Sequence, residues 1–218
     1  MSVNNLNWIS KKQKGLVISD VTSAVFIHNI EWKKLDAAVF SWQKALGSES
    51  QHGIIIMSPK AIKRSTKNKD KILPSVLDLN NRQELINTPS LLSFSDFNYC
   101  LSWFKKKGGI NWAKKICSEN KSVLDKWEEN NKYVKYFSKQ KKYRSLSACY
   151  FTFRNKVSKE KLKKIFLFLE SEKIAYDIKS YRKAPLGIRI WIGPTILKKD
   201  LISLTKWLDW CFYKYIEQ

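Results

Sequence analysis

An α/β architecture in two parts, a partial sheet of short strands followed by a smaller α/β domain, is predicted by three observations. Short apolar runs near residues 16–19, 37–41 and 53–57 follow one another with little chain between them. Helical periodicity then occupies 91–107 and 111–129. Strand-like and helix-like segments alternate from residue 147 onward. The join is expected near residue 88, giving domains over 1–88 and 89–218.

Each element has a local reason. Leu16-Val17-Ile18-Ser19 and Ala37-Ala38-Val39-Phe40-Ser41 are short apolar runs suited to buried parallel strands. Between them, Ser23 to Phe26 reads as loop and Ile30 to Leu35 as a turn of helix. Gly53 to Met57 is predicted as a third buried strand, and Ser58-Pro59 opens a helix that runs through Ile62. The helix from Leu91 to Lys107 stops at Gly108-Gly109, since glycine terminates helices without steric cost. The next helix carries Trp112, Ile116, Val123, Leu124 and Trp127 as its apolar side. Ser147 to Phe153 is a strand, and Ser158 caps a helix to Glu172. Ala175 to Ile178 and Gly187 to Ile192 are strands, and Lys198 to Ile216 is a terminal helix. No repeat and no low-complexity linker interrupts this order.

Composition narrows the function. With 44% hydrophobic and 13% aromatic residues the chain is globular. No apolar run is long enough to span a membrane, and the first fifteen residues carry no secretory signal, so a cytoplasmic protein is expected. The four cysteines, Cys100, Cys117, Cys149 and Cys211, form no CxxC pair, which favours reduced thiols over zinc or disulfides. The formal charge of +22 suggests an anionic partner. However, only six of the 41 basic residues are Arg, and the lysines are spread through every segment. Base and phosphate recognition favours Arg in bidentate geometry, so nucleic acid is a disfavoured partner.

Asp20 closes the first apolar run and Lys44 follows the second. An amine able to condense with an aldehyde, and a carboxylate able to pair with a pyridine nitrogen, are the two groups that pyridoxal phosphate requires. The competing readings are plain ones. A lysine among 35 is ordinarily a solvated charge, and an aspartate at a strand end is ordinarily a turn residue. Spacing alone leaves both open.

The wider text resembles phosphoserine aminotransferase, a fold-type-I pyridoxal-phosphate enzyme of the class V aminotransferase group. The residues that carry the resemblance are Asp20-Val21-Thr22-Ser23-Ala24, Phe40 to Glu49, His52-Gly53 and Ile86-Asn87-Thr88-Pro89-Ser90. Ala175-Tyr176-Asp177-Ile178, Tyr181 to Trp191 and Trp207-Leu208-Asp209-Trp210 complete the set, in the family's order over essentially the whole chain. The resemblance implies the carboxy-terminal part of the large-domain sheet over 1–88, followed by the small α/β domain.

It also implies roles. Lys44 would hold pyridoxal 5'-phosphate covalently and shuttle a proton between the substrate Cα and the cofactor C4′. Asp20 would pair with the pyridinium, and Gln43 would contact the cofactor. Asn87 and Thr88 would reach the cofactor phosphate across a homodimer interface; read locally, they are instead a helix cap with Pro89 at the first helical position. Arg189, inside the apolar Gly187-Ile188-Arg189-Ile190-Trp191, would clamp the substrate carboxylate, with a structural carboxylate as competing partner. Arg182 would contribute to a substrate phosphate. His52 reads as a packed structural histidine. The implied reaction exchanges an amino group between O-phospho-L-serine with 2-oxoglutarate and 3-phosphooxypyruvate with L-glutamate, in serine biosynthesis.

Departures from the family pattern keep other readings open. Ser48 replaces a glycine, and Arg82-Gln83-Glu84-Leu85 stands where the family carries a small glycine-containing run. The family's Gly-rich phosphate loop, its ring-stacking aromatic residue and further phosphate arginines lie outside this sequence. A catalytically incomplete remnant, a subunit completed by a separate front half, and a basic nucleic-acid-binding protein are the alternatives.

Overall fold

The computed structural model describes residues 6–10, 12–67, 74, 78, 88–181 and 183–218. The chain divides into two compact units, one running through Gly109 and the other from Ile110 to Gln218. The helix that follows residue 88 therefore belongs with the first sheet, and the division falls later than the sequence-based boundary.

The first unit is built on three strands in the order β1 (Ile18–Asp20), β2 (Ala37–Ser41), β3 (Gly53–Met57). β1 and β2 run parallel, with Ile18 opposite Ala37 and Asp20 opposite Val39. β3 is antiparallel to β2, pairing Gly53 with Ser41 and Met57 with Ala37. A parallel pair needs a crossover, and residues 21–36 supply it with a turn and a 3-10 segment, Trp32–Lys34. Side chains alternate across a strand, so this register sorts the sheet into two faces. Ala38 and Phe40 are buried against Val21 and Val25, with Ile54 packed beside them. The opposite face presents Ile18, Ala37, Val39, Ile55 and Met57, of which Ile18 is 67% and Ile55 48% exposed. The expectation of a buried third strand is thus corrected: β3 is an edge strand exposed on both faces, at Ile55 on one and at Ile56, 45% exposed opposite Ala38, on the other.

Asp36 pins the far end of this sheet. Its carboxylate accepts the Val17 N–H at 2.9 Å and the Ser58 hydroxyl at 3.1 Å, with the Lys60 ammonium at 3.4 Å. Burial works against the charge, but these donors hold the carboxyl below its ordinary range. Ser58 also caps α1 (Pro59–Thr66), accepting from Ala61 N, and Pro59 takes the first turn as anticipated. α2 (Leu91–Lys106) is capped by Ser90, which accepts the Ser93 N–H. Pro89 therefore precedes the cap, and the reading of Asn87-Thr88 as a cap ahead of Pro89 is corrected.

The second unit packs α3 (Gly109–Glu129), α4 (Lys159–Ser171) and α5 (Lys198–Phe212) with an antiparallel sheet. Its order is β4 (Val134–Tyr136), β5 (Ala148–Phe153), β6 (Gly187–Trp191). Leu124, Val134, Phe151, Ile165, Leu169, Ile188, Leu208 and Phe212 are fully enclosed in its core. Each such side chain contributes about 1.5–3 kcal/mol relative to exposure. The buried stripe of α3 is Ala113, Cys117, Asn120 and Leu124, not the larger Trp112 and Ile116. Asn120 belongs there because its amide donates to the Ile192 and Ile196 carbonyls at 3.3 and 2.9 Å. Gly187 allows a close strand approach: a Cβ there would lie 2.1 Å from the Phe151 carbonyl oxygen.

Ala175–Ile178 is not a strand. Lys173 and Asp177 both adopt left-handed backbone, at φ 55° and 52°, which breaks an extended run, and a single bridge from Lys179 to Ile188 remains. β4, a three-residue strand, was not anticipated. The four cysteines are free thiols. Burial pushes Cys117 to about 12 and Cys149 and Cys211 to about 11, which removes these three as nucleophiles at neutral pH. No helix among the described residues is long and apolar enough to cross a membrane.

Candidate cofactor site

The parallel pairing of β1 and β2 brings their carboxy-terminal ends side by side, about 4.8 Å apart as neighbouring strands are. Asp20 is the last residue of β1, and Lys44 stands in the turn that follows Ser41, the last residue of β2. Both predicted cofactor groups therefore sit at one edge of the same sheet. This placement follows from topology, because a parallel pair delivers both strand ends in the same direction.

Asp20 is exposed and locally organised. Its Oδ1 accepts the Thr22 N–H at 2.9 Å. The Thr22 hydroxyl and backbone N–H hold its carboxyl below the ordinary value, against a small opposing effect of burial. Asp20 is consequently an anion at neutral pH. The motif Asp20-Val21-Thr22 is thus an aspartate turn in which the carboxylate is stabilised but remains accessible.

Lys44 owes its position to its neighbours. Trp42, Ala45 and Leu46 are 1%, 3% and 3% exposed, anchoring the turn from three points and leaving Gln43 and Lys44 half-buried between them. Trp42 stacks on Phe97 with ring centroids 4.4 Å apart. Gly47, at φ 71°, ends the turn where a side chain would be strained. Gln43 Oε1 is buried without a hydrogen-bond partner. An orphaned acceptor of this kind costs about 1–3 kcal/mol, and a ligand donor would relieve it. An ionised carboxylate and a lysine at the carboxy-terminal ends of adjacent parallel strands fit pyridoxal phosphate, whose pyridine nitrogen and aldehyde call for those two groups.

His52 ties α2 to the same edge. Ser41 donates its hydroxyl to the His52 carbonyl at 2.7 Å. The His52 ring lies 5.2 Å from Phe94, and its Nε2 accepts the Ser90 N–H at 3.2 Å. The Ser48 hydroxyl donates to the Asp96 carboxylate, adding a second tie to α2. Thr88, two positions before Ser90, is exposed just upstream of the helix. Asn87 lies outside the described residues, as does Arg182.

Arg189 belongs to the second unit, in β6 opposite Tyr150 of β5. Its Nη2 donates to Asp177 Oδ2 at 2.6 Å, and the guanidinium carbon lies 4.2 Å from the centre of the Tyr181 ring. Sequence reasoning did not single out Thr22, Asp177 or Tyr181. The Asp-x-Thr spacing could have signalled the first; the other two depend on a loop whose left-handed turn the sequence does not display.

Comparison with known proteins places these observations. No family model matches the chain. Two curated phosphoserine aminotransferases match over nearly all of it: that of Methanosarcina mazei at 39% identity and that of Methanosarcina barkeri at 38%, each over 97% of this chain and 60% of the relative. The relative from Rhodococcus jostii is 27% identical over 91% of this chain and 54% of its own length. The chain thus spans about 60% of the length of the first two relatives. Among solved structures, a phosphoserine aminotransferase from Cytophaga hutchinsonii superposes with a TM-score of 0.74 at 18% identity, covering 88% of this chain and 54% of that one. A ureidoglycine-glyoxylate aminotransferase from Bacillus subtilis gives 0.79 at 14% identity, over 92% and 53%. These likenesses show the fold: a mixed α/β chain matching the carboxy-terminal part of pyridoxal-phosphate aminotransferases.

Proposed function

We propose that this chain, which is related to the phosphoserine aminotransferases and matches their carboxy-terminal part, holds pyridoxal phosphate and serves amino-group transfer between O-phospho-L-serine and 2-oxoglutarate. One observation carries the reading: Asp20 ends β1 and Lys44 stands in the turn just after β2, its parallel neighbour, so both lie at the carboxy-terminal end of the same sheet. When bound, pyridoxal phosphate supplies the aldehyde and the electron-accepting ring.

The chain's own residues have separate tasks in this reading. Lys44 Nζ holds the cofactor and takes the proton from the substrate Cα. The Asp20 carboxylate keeps the pyridine nitrogen protonated, which its turn with Thr22 equips it to do. Gln43, whose side-chain oxygen is unmet beside Lys44, contacts the bound cofactor. Thr88 offers a short hydroxyl to the phosphate, with Asn87 and a second subunit as the resemblance implies. Arg189 orients the substrate carboxylate through its planar donors, and Arg182 assists at the substrate phosphate. Incubation with pyridoxal phosphate, borohydride reduction and peptide mass spectrometry should place the label on Lys44. Label spread over surface lysines, and undiminished in Lys44→Ala, would sink the reading.

A specific observation favours a second element of this proposal, that activity needs more polypeptide than this chain holds. The face that carries Ile18, Ala37, Val39, Ile55 and Met57, with Asp20 at its end, is largely apolar, and Ile18 and Ile55 are exposed on it. All-parallel sheets are covered on both faces, and the β1–β2 pair here is parallel. On the other face, at the end of the sheet away from Lys44, an open depression of about 530 Å³ is lined by Trp32, Leu35, Ala38, Ile56 and Pro59 together with the charged Lys33, Asp36 and Lys60. The occupant in this reading is the portion of the relatives' length that lies outside this sequence.

A further inference from the structure

Arg189 already holds a carboxylate, and the two members of that pair are unequally placed. The arginine side chain is 17% exposed and the Asp177 side chain 82% exposed, with Nη2 to Oδ2 at 2.6 Å. The same nitrogen has a longer contact, 3.4 Å, with the Asp177 carbonyl oxygen. Both contacts use Nη2, so the aspartate engages one end of the guanidinium in place of the two-nitrogen fork a free carboxylate can take. The guanidinium carbon also lies 4.2 Å from the centre of the Tyr181 ring, a cation–π contact. The short segment that carries Asp177 and Tyr181 is fastened to β6 by the Lys179–Ile188 bridge and by the Arg189 N–H donating to the Ile178 carbonyl at 2.9 Å. Asp177 reaches the arginine from a left-handed backbone conformation, φ 52°.

We propose that Asp177 is a displaceable stand-in for the substrate carboxylate: it neutralises Arg189 while the site is empty, yields it to an incoming carboxylate, and so sets the apparent affinity for substrate. This rests on Arg189 being the carboxylate clamp of the proposed function. An exposed ion pair is worth about 0–1 kcal/mol, whereas a bidentate guanidinium–carboxylate pair is stronger, so exchange favours a ligand that takes both nitrogens. The cation–π contact with Tyr181 does not involve Asp177 and is kept through the exchange. The charge of the site is then balanced with and without ligand, and Arg189 is never left uncompensated against the strand.

The test uses the full chain, its Asp177→Asn and Arg189→Gln variants, and calorimetric titration with 2-oxoglutarate, with the dimethyl ester as uncharged control. Asparagine tolerates left-handed backbone, so the loop should keep its shape, and circular dichroism checks it. Asp177→Asn should bind 2-oxoglutarate about threefold to fivefold more tightly than the parent, the factor that ~1 kcal/mol of competing ion pair represents. Measurable binding by this variant where the parent shows none has the same meaning. Arg189→Gln should lose binding, and the ester should bind to no form. If Arg189→Gln loses binding while Asp177→Asn binds equally or more weakly, or not at all, Asp177 is no stand-in although the clamp survives. If Arg189→Gln binds like the parent, the clamp itself fails, and this inference with it.

Discussion

At Asp20 the acceptor that shapes the turn and the charge proposed for the cofactor can be separated. Thr22 N–H bonds to one carboxylate oxygen, which an asparagine amide oxygen can replace. Asp20→Asn should therefore leave thermal stability within about 0.5 kcal/mol of the parent. It should weaken retention of pyridoxal phosphate tenfold or more, since a charged hydrogen bond is worth about 1.5–3 kcal/mol. Equal cofactor retention in the variant would remove Asp20 from the site. Asp36 behaves differently, because its charge serves the fold. Its folded-state pKa lies below 3.8, so the stability it contributes is present above that value and is lost as pH falls through the folded pKa. Asp36→Asn, which weakens the hold on Val17, Ser58 and Lys60, should cost about 1–3 kcal/mol at neutral pH. The difference from the parent should shrink in acid, as followed by denaturant titration across the pH range. An unchanged gap at pH 3 and pH 7 would assign the effect to packing.

Among the elements, legibility followed the range of the determining contacts. β2, β3 and the start of α1 were readable because Ala37–Ser41 and Gly53–Met57 are short apolar runs and Ser58-Pro59 is a helix opening set by adjacent residues. The shared edge for Asp20 and Lys44 was half-legible: the strand ends could be read, but the parallel pairing that aligns them depends on the sheet. β4 escaped because three residues are too few to display alternation. The segment 175–178 reads as a strand in sequence because neither left-handed position, Lys173 just before it nor Asp177 within it, carries a glycine to mark the turn. The apolar side of α3 is legible at Val123, Leu124 and Trp127, which pack in or against the core, and not at Trp112 and Ile116, where the buried stripe runs through the smaller Ala113 and Cys117 and through Asn120, fixed by two carbonyls distant in sequence. A similar long-range tie joins α3 to α5. Asp209 Oδ1 accepts Trp127 Nε1–H at 2.9 Å and Asn131 Nδ2–H at 2.6 Å. Burial raises its pKa, against the lowering effect of those two donors, so its stabilising contribution is full in acid and declines as pH rises through the folded value. Asp209→Asn keeps the acceptor and sheds the buried charge; its thermal midpoint at neutral pH should equal or exceed the parent's. Asp209→Leu strands both donors and should cost about 1–3 kcal/mol for each. A lower midpoint for the asparagine variant at neutral pH would show that the charge itself holds the helices together.

For the whole molecule, the open face of the first sheet decides what this chain can do unaided. The buried core of the first sheet is small, centred on Val21, Val25, Ala38 and Phe40, while Ile18 and Ile55 lie across the opposite face. A surface of that kind is a docking face or an aggregation hazard. If the remaining part of the relatives' length covers it, substitutions there should separate stability from assembly. Ile18→Ser and Ile55→Ser remove side chains that are already 67% and 48% exposed, so the chain should unfold within about 0.5 kcal/mol of the parent. Binding to the amino-terminal fragment of the Methanosarcina mazei relative, supplied as a separate polypeptide, should fall by at least tenfold in the double variant. That factor corresponds to ~1.4 kcal/mol, which burial of one such side chain supplies. With the fragment added, aminotransferase activity should appear in the parent and in Ile202→Ser, an exposed position in the second unit, and should be weak in the double variant. Activity that is equal with and without the fragment would show that the face needs no cover. Equal affinity of the parent and the double variant would place the contact elsewhere on the sheet.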